Sequence, residues 1–123
     1  MLGILRRKKS RQEAAAAQQW ERLVTSARQL GPDFHIVQVA EVYQRARNGS
    51  KAYVIWTETG TRQDTWFEGW APQPGSFLLV RGSVGYGPHN NNPKVLFIGS
   101  GGVHSTAGAS ARNAWQRQQS RQA

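Results

Sequence analysis

Apolar residues in this chain follow one stretch of helical periodicity and several short runs typical of strands. Between residues 10 and 30, five apolar side chains recur at spacings of three and four, which places them on one face of a helix. They are Trp20, Leu23, Val24, Ala27 and Leu30. Ser10 and Glu13 fit a capping box at the start, and Gly31 fits the end. The pattern predicts an amphipathic helix over residues 10–31.

From residue 34 onward the pattern changes to short β-rich runs separated by turn residues. Five strands are predicted, over residues 34–43, 51–59, 65–70, 76–86 and 94–99. The dipeptide Asn48-Gly49 predicts a two-residue hairpin turn between the first two. Residues 77–80 and 95–98 are wholly apolar, which is typical of strands buried on both faces. Gly82 and Gly85 are expected to bend the fourth strand.

These elements predict a fold that is mainly β with flanking helices. We expect a small five-stranded β-barrel, closed or half-closed, that is either SH3-like or OB-like. The SH3-like form is preferred, because an OB-fold usually places a helix between its third and fourth strands, where only residues 71–75 are available. A weak C-terminal helix is expected to turn Trp115 inward. The predicted segments are a basic arm at 1–9, the helix at 10–31, the barrel at 33–103 and a basic tail at 104–123.

Positive charge is concentrated at the two ends of the chain. The chain has 123 residues and a formal net charge of +9. Residues 1–32 carry seven Lys and Arg against two acids, residues 33–103 carry six against five, and residues 104–123 carry three against none. A basic chain favours an anionic partner. The distribution places that contact on the helical ends and leaves the predicted barrel nearly neutral.

Other features narrow the functional class. Cysteine is absent, so disulfides and Cys-based metal sites are excluded. His35, His89 and His104 lack metal-ligand spacing and the acids are scattered, so we expect no enzyme activity, metal or cofactor. No apolar run approaches the roughly 18 residues of a transmembrane helix, and the cations follow the apolar start, unlike a signal peptide. We expect a cytoplasmic protein or one within a virion or other large assembly, not one secreted by a signal peptide.

The leading hypothesis is a non-enzymatic structural or assembly protein that acts in a homo-oligomer or larger complex. The plan of a compact neutral barrel with basic helical arms resembles small connector proteins of large assemblies, virion components included. The barrel would be a rigid body, and the arms would contact protein subunits of the same assembly. The predicted subunit contacts are Leu2, Ile4, Leu5, Trp20, Leu23, Val24, Ala27 and Trp115.

The alternative hypothesis is a nucleic-acid-binding module with sequence-independent contacts to DNA or RNA. Its predicted phosphate contacts are Arg6, Arg7, Lys8, Lys9, Arg11, Arg45, Arg47, Lys51 and Arg62. Trp66 and Trp70 are the predicted stacking residues. A polar loop is interpreted either as a turn or as a partner contact, and it comprises His89, Asn90, Asn91 and Asn92.

Overall fold

The computed structural model describes residues 2–84 and 94–122, with backbone alone at residues 2–6 and 83–84. Within these ranges the chain forms two helices and seven strands. In chain order they are α1 (Leu2–Leu30), β1 (His35–Ala46), β2 (Gly49–Trp56), β3 (Arg62–Glu68), β4 (Phe77–Val80), β5 (Ser83–Val84), β6 (Leu96–Ile98), β7 (Val103–Ala107) and α2 (Ala111–Gln122).

All strands belong to one sheet with the order β5-β6-β3-β2-β1-β4-β7. Neighbours are antiparallel except β3 and β6, which run parallel. The sheet curls into an open half-barrel. The predicted mainly β fold with a helix at each end is therefore confirmed. The sheet has seven strands instead of the predicted five, and of the closed and half-closed alternatives it takes the open one, because it ends at β5 and β7.

Strand β7 is the element that the sequence did not predict. Its residues, interpreted as the start of the basic tail, pair antiparallel with β4. Ala107 is the one buried residue of this strand, and His104, Ser105 and Thr106 are all polar. The strand therefore lacks the apolar run that predicts a strand from sequence. The predicted fourth strand is instead divided into β4 and β5. The break includes Gly82, where a Cβ atom would lie 2.6 Å from the carbonyl oxygen of Phe97.

Helix α1 begins at Leu2, eight residues before the predicted start at Ser10. The boundary between a basic arm at 1–9 and a helix at 10–31 is therefore corrected to one continuous helix. Leu, Arg and Lys are good helix formers, and they dominate residues 2–9. Ser10 lies on the exposed surface of this helix, and Glu13 bonds to α2 instead of capping.

The sheet buries apolar side chains on both faces. The face turned away from the helices carries the inner core of Val37, Val39, Ala52, Val54, Phe67, Leu78, Val80, Leu96 and Ile98. The opposite face packs under the helices through the helix-side core of Trp20, Leu23, Phe77, Leu79, Ala107 and Ala111. All four residues of β4 are buried, which confirms the prediction for residues 77–80.

Candidate nucleic-acid interface

The two helices pack antiparallel, and their contacts fix which ends lie together. Near the start of α2, the backbone N–H of Gly108 donates to Oε1 of Gln19 at 3.0 Å. Near its end, Arg121 reaches back to Glu13. Residue numbers therefore rise along α2 as they fall along α1. The C-terminal end of α2 lies beside the N-terminal half of α1.

This arrangement gathers cations from both ends of the chain. Six of them lie at this end of the helix pair, two of these six bond to Glu13, and α2 itself contains no acidic residue. All six side chains are exposed where the structure describes them. We call this surface the basic helix end; its cations are Arg7, Lys8, Lys9, Arg11, Arg117 and Arg121. Its formal charge, with Glu13 included, is +5.

Glu13 joins the helices and orients two of the arginines. The Nε of Arg117 donates to Oε1 of Glu13 at 2.9 Å, and an Nη1 N–H of Arg121 donates to Oε2 at 3.0 Å. These hydrogen bonds hold the pKa of Glu13 below its usual value. The arginine side chains remain 55% and 64% exposed. A guanidinium has five N–H donors, so each arginine keeps donors for a second acceptor.

Arg7, Lys8, Lys9 and Arg11 form no ion pair with a carboxylate among the residues whose side chains the structure describes. Arg7 and Arg11 are four residues apart, and like charges at this spacing destabilise a helix by about 0.2–0.5 kcal/mol. Lys9 lines an open groove of about 340 Å³ between the helices, together with Ser110 and Arg117. An anion bound at this surface would relieve the repulsion among these cations.

The predicted hairpin cations fall into two groups. Arg45, Arg47 and Lys51 are exposed at the β1–β2 hairpin. The register pairs Ala46 with Gly49, so the turn residues are Arg47 and Asn48, and the predicted Asn48-Gly49 turn is shifted by one residue. Position 49 requires glycine for a steric reason, because the Cβ atom of any other residue would overlap the carbonyl oxygen of Phe67.

Arg62, the fourth predicted hairpin cation, is already engaged within the sheet. Its Nη2 donates to Oε2 of Glu41 at 3.3 Å, and its guanidinium carbon lies 4.1 Å from the ring centroid of Tyr53. Tyr53 in turn stacks on Tyr43, with centroids 4.8 Å apart and ring planes at 29°. The sequence does not predict this stack, because the contact depends on strand register. The one indication in the sequence is a tyrosine in each of the two strands that the hairpin joins.

The two predicted stacking tryptophans are held by their own neighbours. The indole Nε1 of Trp66 donates to Oε2 of Glu68 at 2.6 Å. Its ring lies against Gly49, where a Cβ atom would come within 2.7 Å of Cζ2. Trp70 is 37% exposed and meets Phe67 edge-on at 6.0 Å. Trp70 therefore has the more accessible ring of the two.

The apolar stripe of α1 packs on this chain's own sheet. Trp20 is 8% exposed and Leu23 2% exposed, and Trp20 meets Phe77 edge-on with centroids 4.9 Å apart. These two predicted subunit contacts are therefore corrected to core residues, because the sheet supplies the apolar surface that the stripe requires. Three further predicted contacts are half-buried against the same core, namely Val24, Ala27 and Trp115.

Several predicted residues lie outside what the structure describes. The side chains of Leu2, Ile4, Leu5 and Arg6 are among them, and so is the whole loop from His89 to Asn92. Within residues 2–84 and 94–122, no group of three or more His, Asp or Glu side chains is placed to hold a metal ion. In those same ranges, neither helix is long and apolar enough to cross a membrane.

Comparison with protein-family models, with curated proteins and with solved structures finds no match to this chain.

Proposed function

We propose that this chain is a non-enzymatic nucleic-acid-binding protein whose basic helix end contacts the phosphate backbone. The observation that carries this proposal is that six exposed cations from opposite ends of the sequence lie at one end of the helix pair, where Glu13 is the one acidic residue among them. Nucleic acid presents closely spaced phosphates to such a surface. Contacts of this kind fix position and affinity without reading sequence.

The chemistry of the surface supports phosphate as the ligand. Arginine presents paired N–H donors that match two phosphate oxygens, and Glu13 already orients Arg117 and Arg121. This orientation lowers the conformational entropy that these side chains lose on binding. Exposed glutamines of α2, including Gln116 and Gln119, add neutral donors of the type that also contacts phosphates.

A second candidate function is the assembly of several copies, favoured by one edge of the sheet. Strand β7 is the last strand in the sheet order, and within the described residues no strand pairs with its outer side. Exposed strand edges can pair with another chain and extend the sheet. Light scattering after size-exclusion chromatography tests this candidate, because a strict monomer at all concentrations contradicts it.

The test of phosphate binding compares two matched double variants of α1. Lys8→Ala with Arg11→Ala removes two exposed cations from the basic helix end. Arg22→Ala with Arg28→Ala removes two exposed cations from the rest of the same helix. Alanine is the best helix former, so both variants keep the helix. Binding of a 20-base-pair duplex is measured by fluorescence anisotropy at several salt concentrations.

We expect the first variant to bind more weakly and to respond less steeply to salt. Each lost phosphate contact lowers the slope of log K against log salt by about 0.9, so two contacts lower it by about 1.8. The control variant should change this slope by much less than one contact. The proposal fails if the unaltered chain does not bind at low salt, or if both variants lose affinity equally.

A further inference from the structure

Helix α2 lies on the surface of the molecule, with one face packed and the opposite face open. On the packed face, Ala111 and Ala114 are buried and Trp115 is half-buried against the helix-side core. On the open face, three side chains are exposed, and none of them forms a hydrogen bond or an ion pair within residues 2–84 and 94–122. We call these residues the outward stripe of α2, and they are Asn113, Gln116 and Ser120.

The members of the outward stripe follow the helical repeat. Their spacings of three and four residues place them one above another on a single face of the helix. At a rise of about 1.5 Å per residue, the distance along the helix from Asn113 to Ser120 is about 10 Å. Successive base pairs of DNA are about 3.4 Å apart. The stripe is therefore long enough to face about three consecutive base pairs.

The outward stripe carries side chains of the kind that read base edges. The amide of asparagine or glutamine has both donors and an acceptor, and it can bond to the N6 amino group and to N7 of the same adenine. A serine hydroxyl can either donate or accept a hydrogen bond. Because these groups have no partner within the described part of the chain, a ligand can use all of their hydrogen-bonding capacity.

Arginines lie on both sides of the outward stripe. Arg117 and Arg121 are on the side of α1, because both bond to Glu13. Arg112 is on the other side, about 140° around the helix from Arg117. Its guanidinium carbon lies 5.1 Å from the ring centroid of Phe77, so a cation–π contact also restrains this side chain. The neutral groups of the stripe therefore lie between restrained cations.

Every charged side chain of α2 is positive. Its three arginines give it a formal charge of +3, and the basic helix end continues this positive surface onto α1. A complementary ligand has negative charge along two edges and neutral hydrogen-bonding groups between them. The major groove of duplex DNA has this arrangement, with phosphates along both edges and base edges on its floor. Its width of about 12 Å admits a helix, whose diameter with side chains is about 10–12 Å.

We infer that α2 is a recognition helix that enters the major groove of duplex DNA, with the outward stripe against the base edges and the flanking arginines against the phosphates. This inference rests on the function proposed above, and it adds the form of the nucleic acid and the side chains that read its sequence. Duplex RNA does not fit, because its major groove is too deep and narrow for side chains to read. A single strand has no groove for the helix to enter.

The first test determines whether the unaltered chain prefers a DNA sequence. The chain is incubated with 20-base-pair DNA duplexes of random sequence, and the bound duplexes are recovered and sequenced over several rounds. We expect enrichment at about three adjacent positions, with adenine among the preferred bases. Fluorescence anisotropy then compares the enriched DNA duplex with an RNA duplex of the same sequence. The RNA duplex should bind about tenfold more weakly or less, because its phosphates alone are within reach.

The second test removes the outward stripe and keeps the flanking arginines. Asn113→Ala with Gln116→Ala should lower the preference for the enriched duplex about tenfold for each lost base contact. The slope of log K against log salt should stay the same, because no phosphate contact is removed. Gln18→Ala with Gln29→Ala is the matched control on the exposed surface of α1, and it should change neither quantity. Gln116→Glu should shift the preferred base at one position toward cytosine, because a carboxylate accepts from its N4 amino group.

The outcomes separate this inference from the proposed function. If no sequence is enriched while Lys8→Ala with Arg11→Ala still weakens duplex binding, the recognition helix is refuted and phosphate binding stands. If Asn113→Ala with Gln116→Ala keeps the sequence preference, or weakens binding of the DNA and RNA duplexes equally, α2 does not read the major groove. If the unaltered chain binds no duplex at low salt, the inference and the proposed function fail together.

Discussion

Two consecutive leucines of β4 give the sharpest test of how this sheet is stabilised. Leu78 is 1% exposed and belongs to the inner core, whereas Leu79 is fully buried and belongs to the helix-side core. The two positions share residue type, strand and burial, and they differ in the face to which the side chain projects. Replacing either by alanine therefore removes the same group from a different core.

The expected loss of stability is large for both variants. Leu→Ala substitutions in a well-packed core lower the free energy of unfolding by about 2.7–5.0 kcal/mol. This cost is the sum of the lost transfer free energy of the removed atoms and the free energy of the cavity that they leave. A chain of this length has a total unfolding free energy of about 6–18 kcal/mol. Each substitution should therefore remove a substantial fraction of that stability. Leu30, at 39% exposure, provides the control, and Leu30→Ala should change stability by less than about 0.5 kcal/mol.

Urea unfolding followed by tryptophan fluorescence measures the loss. With a slope of about 1–3 kcal/mol per molar urea, a loss of about 3 kcal/mol lowers the midpoint by about 1–3 M. Hydrogen exchange then separates the cores. Leu79→Ala should accelerate exchange most in α2, and Leu78→Ala should accelerate it most in β2 and β3. A cost below about 1 kcal/mol for either variant, or identical exchange patterns for both, would refute a sheet packed on two faces.

Two further predictions concern stability and pH. Gly49→Ala would place a Cβ atom against the Phe67 carbonyl, so it should lower the free energy of unfolding by about 1–3 kcal/mol and Tm by several degrees. Gly101→Ala is the control, because no atom lies within 4 Å of its Cβ position, and it should leave Tm nearly unchanged. Equal Tm values for the two variants would contradict the predicted overlap. The lowered pKa of Glu13 implies stability that is present above its ordinary value of 4.5 and lost as pH falls through the folded-state pKa. The unfolding free energies of the parent chain and of Glu13→Gln should therefore converge below pH 4.5, and a constant difference down to pH 2 would exclude this role.

The sequence alone is sufficient where the determining pattern is local. The stripe that includes Trp20 and Leu23 predicts a helix because spacings of three and four recur within a few turns. The apolar run at residues 77–80 predicts burial on both faces because no polar side chain interrupts it. The concentration of charge at the two ends is likewise a property of the sequence.

The tertiary structure decides which distant segments meet. Strand β7 is polar and becomes a strand because the edge of β4 offers it backbone partners. Glu13 has the local features of a capping residue, yet the packing of α2 places two arginines on it across more than 100 residues of sequence. The open sheet follows from the order of all the strands, which no single segment encodes.

In the candidate interface, too, some features follow from the local sequence and others only from tertiary packing. The sequence by itself determines that the chain is basic at both ends and carries aromatic residues in its strands. Only the antiparallel packing of α1 and α2 joins the two basic ends into one surface. Only the register of β1, β2 and β3 aligns Arg62, Tyr53 and Tyr43 into a stack. The physical reason is that charge and periodicity are additive along the chain, whereas a contact between distant residues depends on the packing of everything between them.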